Sequence, residues 1–263
     1  MISITHIDTA CVLLNIGGYR ILTDPTLDSP GKLYYHGSGT FSRKTSVPAL
    51  SSLTPGEIDL VLLSHHQHKD NFDNEGRRLT EKVPLVLSTE AAARLLPNAR
   101  GLKEWQSFYI RNSCIPDLKI TATPAQHHPW WVPGFLAGKV IGFVIESSLL
   151  KNGAIYISGD TVYFRGIQEI AQRFRIDTGI FHVGAVQFRY LTGWGQYTFS
   201  GSELLKAVRV LCPSMIIPVH FSGWTHFKEN ETALRNILEK DTEVWQRTVF
   251  PEPGKEITLY QEA

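Results

Sequence analysis

The chain has 263 residues, with 26 Lys and Arg against 25 Asp and Glu, for a formal net charge of +1. Hydrophobic residues make up 43% and charged residues 19%, which excludes a mainly disordered chain. The balanced charge offers no basic excess for coating nucleic acid or anionic lipid. The length fits one large domain or two small ones. No break in composition separates the strand-rich from the helix-bearing stretches, so residues 1–263 are expected to form one α/β domain. Ten histidines are many for this size, and they are where chemistry is sought first.

In chain order, Ile2–Ile7, Cys11–Ile16 and Tyr19–Leu22 are rich in β-formers, with Gly17-Gly18 as a hairpin turn between the last two. Pro25 to Pro55 is a long Gly/Ser/Pro/Tyr stretch of little periodicity, expected to be a functional connection. Asp59–Leu63 (DLVLL) reads as a buried strand feeding a polar loop. Residues 74–81 predict a short helix, Leu85–Leu87 a strand, and Thr89–Leu96 a helix capped by Thr89. Leu118–Thr123, Val140–Glu146 and Ala154–Ile157 predict strands. Phe164–Phe174 and Ser202–Leu211 have helical spacing, the latter with Ser200 or Ser202 as cap. Met215–Val219 predicts a strand, Lys228–Glu239 a helix and Ile257–Tyr260 a closing strand.

Cys11, Cys114 and Cys212 are odd in number and far apart, which argues against a disulfide framework and against a thiolate zinc site. The N-terminal segment carries His6 and Asp8 ahead of its apolar run and lacks the features of a secretion signal. No apolar run reaches the ~18 residues of a membrane span. A cytoplasmic location is expected.

The sharpest motif follows DLVLL and reads Ser64-His65-His66-Gln67-His68-Lys69-Asp70-Asn71. His66-x-His68-x-Asp70 places three metal-competent side chains within one short loop. On a loop that leaves a buried strand, side chains at i and i+2 can point the same way and grip one ion. His65-x-x-His68 is the competing register, with His66 favoured on the i, i+2 spacing. Further on, His127-His128 follows Leu118–Thr123, Asp160 follows Ala154–Ile157, and His220 ends Met215–Val219. Four apolar runs thus end in histidine or aspartate, at the strand edge where sites of α/β sheets gather.

Together with Thr5-His6-Ile7, Leu22-Thr23-Asp24-Pro25, Ala122–His127, Ser158-Gly159-Asp160-Thr161 and Pro218-Val219-His220, the motif makes the chain resemble the metallo-β-lactamase-fold hydrolases. It is similar in particular to the branch holding the ascorbate-phosphate lactonases and the phospholipase-D-type enzymes that act on N-acyl phosphatidylethanolamine. The resemblance covers nearly the whole length. It implies a four-layer αββα sandwich with one or two divalent metals at one edge: zinc first, manganese or iron as alternatives. Carried over by position, His66, His68 and His127 would hold one metal, Asp70 and His220 a second, and Asp160 would bridge them. Asp24 would orient ligands from behind. The family's histidine after the motif aspartate is Asn71 here, a weaker ligand, which bears on whether the second metal binds.

The resemblance implies hydrolysis by a metal-activated hydroxide, with Asp70 and Asp160 orienting the nucleophile. No GxSxG is present. His226 and His182 are candidate proton donors to the leaving group; His6, His36 and His128 read as structural or exposed. Tyr190 and Tyr197, flanking Gly193-Trp194-Gly195, are candidate oxyanion donors. Trp130, Trp131, Phe135, Tyr34, Tyr35, Trp194 and Trp224 lie in turn-rich stretches and suggest an apolar pocket wall. Arg43-Lys44 reads as a solvated pair, with anion binding as the alternative. The expected substrate is a small-molecule ester or lactone. A phosphodiester of a phospholipid head group or nucleotide is the alternative within enzymes, and a non-catalytic metal-binding protein the alternative outside them. No nucleic-acid partner is expected, and oligomeric state is left open.

Overall fold

The structure, a computed structural model, describes every residue except 38, 51, 52, 54, 133, 135–137, 189, 191, 192 and 261–263. The strands begin with β1 (Ile2–Asp8), β2 (Cys11–Ile16) and β3 (Tyr19–Thr23), followed by β4 (Leu33–Gly37) and β5 (Thr40–Arg43). Next come β6 (Leu60–Leu62), β7 (Val86–Thr89), β8 (Ala99–Leu102) and β9 (Ser107–Ile110). They continue with β10 (Leu118–Pro124), β11 (Ile141–Glu146) and β12 (Ala154–Ile157), then β13 (Ile176–His182), β14 (Met215–Val219) and β15 (Glu256–Tyr260). The helices are α1 (Asn74–Thr80), α2 (Glu90–Ala93), α3 (Gly166–Arg173), α4 (Gly201–Leu211), α5 (Glu231–Leu238) and α6 (Thr242–Gln246).

Two large sheets result, one ordered β15-β1-β2-β3-β6-β7-β8 and the other β14-β13-β12-β11-β10-β9. Many of their strands are buried along their whole length, β1 and β13 among them, as apolar runs covered on both faces must be. Three separate apolar cores show the layering. Ile4, Leu14 and Ile21 of the first sheet meet Ile120, Phe143 and Ile155 of the second in the middle core. Tyr156, Phe181 and Ile216 pack outward against Ile170 of α3, Leu204 and Val208 of α4 and Leu234 of α5. Leu13, Val61 and Val86 pack outward against Leu79 of α1 and Ala92 of α2. Helix, sheet, sheet, helix is the αββα sandwich that the resemblance implies.

Strand direction decides where a site can form. β3, β6, β7 and β8 run parallel, as do β12, β13 and β14. β10 is antiparallel to β11, itself antiparallel to β12, so β10 shares the direction of β12. Within each sheet the carboxyl ends therefore lie on one edge. The two edges are tied there, with Ile141 N–H donating to Ser64 O at 3.1 Å and His220 N–H to Thr9 O at 2.8 Å.

Several local readings meet their structures closely. Gly17 and Gly18 turn β2 into β3, both at positive φ. Ser200 rather than Ser202 caps α4, in a reciprocal box with Glu203. α2 stops at Ala93, short of the predicted Leu96, and α5 starts at Glu231 behind the cap Asn230. The Pro25–Pro55 stretch is not all loop: it holds the hairpin β4-β5, in which buried Thr40 and Ser42 alternate with exposed Phe41 and Arg43. The short strands β8 and β9 and the helix α6 were also not anticipated. All three cysteines are free. Among the described residues no helix is long and apolar enough to cross a membrane.

Candidate metal centre

Six strand ends deliver side chains to one edge. β3 supplies Asp24, β6 the Ser64–Asn71 loop, β10 His127, β12 Asp160, β13 His182 and β14 His220. Aiming them takes unusual backbone: Asp24 at φ 31° and His220 at φ 62° occupy the left-handed region, which costs a non-glycine residue energy and clusters at functional sites. Gly159, at φ +60°, turns the chain into Asp160, and a β-carbon there would come within 2.6 Å of the Ile141 carbonyl oxygen.

Two donor groups result. His65, His68, His127 and Asp160 form one; Asp70, Asp160 and His220 form the other, each with ligand atoms within 4.8 Å of one another. Asp160 belongs to both. His65 Nε2 and His127 Nε2 each lie 3.1 Å from His68 Nδ1.

The hydrogen bonds behind these rings fix their tautomers. His127 Nδ1 is 2.8 Å from the Tyr197 carbonyl oxygen, which only accepts, so Nδ1 carries the proton and Nε2 presents its lone pair inward. Ser64 donates its hydroxyl hydrogen to Asp24 Oδ1 at 2.8 Å. His65 Nδ1, 2.9 Å from the same hydroxyl oxygen, must therefore be the donor to it, again leaving Nε2 bare. Burial pushes the imidazole of His127 down to about 4 and lowers those of His65 and His68. The three rings are thus neutral near pH 7, the form that ligates. A single proton on His68 Nδ1 can serve only one of its two neighbours, whereas a cation satisfies all three rings. The donor set, imidazole and carboxylate without thiolate, fits a divalent metal.

The carboxylates agree. Burial would raise Asp70 and Asp160, but His220 and His226 bonding to Asp70, and His220, His182 and His127 facing Asp160, hold both well below the usual carboxylate range. Asp70 Oδ1 is buried and not hydrogen-bonded among the described residues. Burial alone would lower His220, yet Asp160 and Asp70 outweigh it and raise the ring to about 9. In the absence of a cation a proton occupies that position.

The structure brings His65, not His66, into the first donor group. His66 joins neither donor group among the described residues; its ring is half-buried, and its carbonyl accepts from Arg77 Nη2 at 2.9 Å. The segment bends at residues 66 and 67 instead of extending. On a turn, positions i and i+3 share a side, so His65 stands where His66 was expected. Asn71 lies inside the centre, its Oδ1 3.1 Å from His220 Nε2 and its amide nitrogen 3.4 Å from Asp160 Oδ1. His182 donates from Nδ1 to Asp160 Oδ1 at 2.9 Å and stacks on His220 with centroids 5.5 Å apart. Its Nε2 lies 3.8 Å from Asp24 Oδ2. His226 Nε2 donates to Asp70 Oδ2 at 2.9 Å.

Other expectations shift. His36, read as structural or exposed, reaches the centre from β4: its Nδ1 is 3.6 Å from Asp70 Oδ1 and its ring 5.3 Å from that of His226. Its place follows from the packing of the hairpin, anchored through Lys44 on Asp8 and Asp73, and not from a local motif. Lys44 is not solvated but fully buried, its Nζ 2.5 Å from Asp8 Oδ2 and 3.8 Å from Asp73 Oδ2. Arg43 donates to Gly31 O at 2.6 Å. Tyr190 donates its hydroxyl to Gly39 O at 3.1 Å, and Tyr197 meets the centre through its backbone carbonyl. Trp224 is buried against Tyr34, His36 and His226. His6 and His128 are held by the Thr9 and Pro129 carbonyls. Phe135 lies outside the described residues.

A family described as a beta-lactamase superfamily domain matches residues 3–220. The chain is 24% identical over 249 residues to a UPF0173 metal-dependent hydrolase of Methanosphaerula palustris, covering 93% of this chain and 94% of that one. Its fold resembles that of an isothiocyanate hydrolase from Delia radicum gut bacteria, with TM-score 0.78, 22% identity and 98% of both chains covered. It also resembles a possible metal-dependent hydrolase from Veillonella parvula, with TM-score 0.79, 20% identity and 98% of this chain and 100% of that one covered.

Proposed function

The chain belongs to the beta-lactamase superfamily and is a metal-dependent hydrolase, and we propose that it cleaves a small-molecule ester or lactone without a covalent enzyme intermediate. The observation that carries this reading is the pair of donor groups sharing Asp160. His65, His68, His127 and Asp160 would hold one divalent cation, and Asp70, Asp160 and His220 a second; zinc suits the set first, manganese or iron next. A cation bound there lowers the pKa of water to about 7 and polarises the oxygen of the bond to be cleaved.

The chain's own groups supply the rest. Asp70, ionised and with Oδ1 buried and not hydrogen-bonded among the described residues, is placed to accept a hydrogen bond from the attacking water and orient it. His226 bonds the other oxygen of that carboxylate and stands beside it to deliver a proton to the leaving oxygen. His36, on the opposite side of Asp70, is a second group in reach for that transfer. Ser64, whose hydroxyl oxygen is 2.9 Å from His65 Nδ1, is buried and donates its hydrogen to Asp24, so it is not poised as a nucleophile. Cys11 is buried and its thiol is raised well above the ordinary range, burial being the main cause. A centre that can hold two cations also suits in-line displacement at phosphorus, so a phosphodiester is the second reading.

The test is to load the protein with zinc, manganese or iron and measure bound metal together with turnover of esters, lactones and phosphodiesters. Isothiocyanates belong in the same panel, because their central carbon is open to the same attack by water. Turnover of esters or lactones is expected, and Asp160→Ala is expected to lose both bound metal and hydrolysis. Turnover of phosphodiesters alone, or none with metal bound, would overturn the ester and lactone reading.

A further inference from the structure

We infer that the mouth of this centre binds an extended apolar group of the substrate, an aryl ring or an alkyl chain of several carbons, held on a rim of aromatic side chains. The inference rests on the hydrolytic reading and names the substrate class for the same site. Seven aromatic side chains are exposed among the described residues, and six of them lie on three segments that also carry His36, His127 or Tyr197, residues of the centre or bonded to it. Tyr35 and Phe41 are on the β4-β5 hairpin, Trp130 and Trp131 follow His127, and Tyr190 and Trp194 precede Tyr197. Trp130 is 84% exposed and Tyr190 68%. Aromatic side chains this exposed leave a large apolar area in water, and a cluster of them marks a surface suited to an apolar group.

The three segments touch one another. Tyr190 donates its hydroxyl to Gly39 O at 3.1 Å, which ties its loop to the tip of the hairpin. Gly195 lies so close to the third segment that a β-carbon there would come within 2.2 Å of Pro129 Cγ and 2.9 Å of Trp131 Cζ2. Within the rim, Tyr35 and Phe41 have centroids 5.0 Å apart, and Trp130 and Trp131 meet edge to face at 5.6 Å.

Aromatic contacts also lead inward. Phe188 stacks on His226 with centroids 5.8 Å apart and reaches Tyr190 at 6.3 Å and Tyr197 at 6.2 Å. Tyr197 holds His127 through its carbonyl. Tyr35 precedes His36, which faces Asp70. The rim is thus continuous with the groups around the bond to be cleaved, as a substrate-binding wall must be. The hairpin's own cations point away from the rim: Arg43 to Gly31 and Lys44 into the buried Asp8–Asp73 cluster.

The experiment uses the metal-loaded protein and γ-lactones of growing side chain, from γ-butyrolactone to γ-dodecalactone, whose reactive ring is constant. For the wild type, kcat/KM is expected to rise about two- to fourfold per added methylene over the first few carbons. In a Trp130→Ala, Trp131→Ala double variant that slope is expected to flatten, with metal content and thermal midpoint showing that the variant is folded. Trp130→Lys, at the most exposed position, is expected to flatten it in part. If no lactone is turned over, the hydrolytic reading fails separately, and the rim is tested by calorimetric binding of n-alkanoates of increasing length. Affinity should then climb with chain length in the wild type and not in the double variant. The absence of any chain-length dependence in the wild type overturns the inference. So does a double variant that keeps the slope but loses vesicle binding or self-association, which would assign the rim to a lipid surface or a second copy.

Discussion

A neutral imidazole can serve a cation only when the proton sits on the ring nitrogen that faces away, and here that choice is made by groups one step removed. Asp24 Oδ1 takes the Ser64 hydroxyl hydrogen at 2.8 Å, so the hydroxyl oxygen is left to accept from His65 Nδ1 at 2.9 Å. His127 is set the same way by the Tyr197 carbonyl, and His220 Nδ1 lies 3.3 Å from the Val183 carbonyl. Such partners fix orientation and tautomer, and their loss typically weakens metal binding about 10–100-fold. A graded series follows for metal content measured after dialysis against a competing chelator. His65→Ala should lose metal strongly, Ser64→Ala should need about 10–100 times more free metal for the same occupancy, and His66→Ala should match the wild type. Metal loss in His66→Ala with retention in His65→Ala would restore the i, i+2 register. The sequence shows both histidines but not whether the loop between strand and helix extends or turns, and that is why the spacing argument chose the other one. Asp70, Asp160, His127 and His220 were legible because each follows an apolar run, a pattern local enough to read without coordinates.

At the scale of elements, the β4-β5 hairpin shows where local reading stops. Its alternation is short and broken by glycines, and what holds it is remote in sequence. Lys44, just past β5, sends its ammonium 2.5 Å from Asp8 at the end of β1 and 3.8 Å from Asp73, the residue that caps α1, beneath the ring of Trp224. No pattern near Lys44 announces those partners. β8 (ARGL) and β9 (SFYI) were missed for a related reason, since each is short and takes its place from the neighbour it pairs with. The hairpin also carries His36, so the histidine that sequence set aside is the one whose position depends on long-range packing. Removing one partner of a buried ion pair leaves the other charge uncompensated and costs about 3–5 kcal/mol. Lys44→Met is therefore expected to lower the unfolding free energy of the metal-loaded protein by about 3–5 kcal/mol in denaturant titration. Combining it with Asp8→Asn should recover part of that loss. A single-variant change below about 1 kcal/mol, the value of an exposed pair, would show that Lys44 does not anchor the hairpin.

At the scale of the molecule, a sandwich that gathers this many ionisable groups at one edge has a stability governed by their protons, and the sign differs from group to group. His127 is lowered by burial from 6.5 to about 4. In the metal-free protein it costs nothing above pH 6.5, but as pH falls from 6.5 toward 4 the unfolded chain gains a proton that the folded one refuses. His65 and His68, lowered mainly by burial, act in the same direction. His220 is raised to about 9, with Asp160 and Asp70 overcoming the effect of burial. Its contribution is fully present below pH 6.5 and is lost as pH rises through 9. The metal-free protein should therefore be most stable near pH 6.5 and weaken on both sides. Bound metal reverses the alkaline limb, because His220 then ligates as the neutral ring and a rise in pH removes the competing proton. Thermal unfolding with chelator and with saturating zinc, from about pH 5 to about pH 10, should show a gap between the two midpoints that widens steadily above pH 6.5, reaching several degrees or more. Parallel curves across that range would mean that His220 does not exchange its proton for metal, and the second donor group would lose its place in the centre.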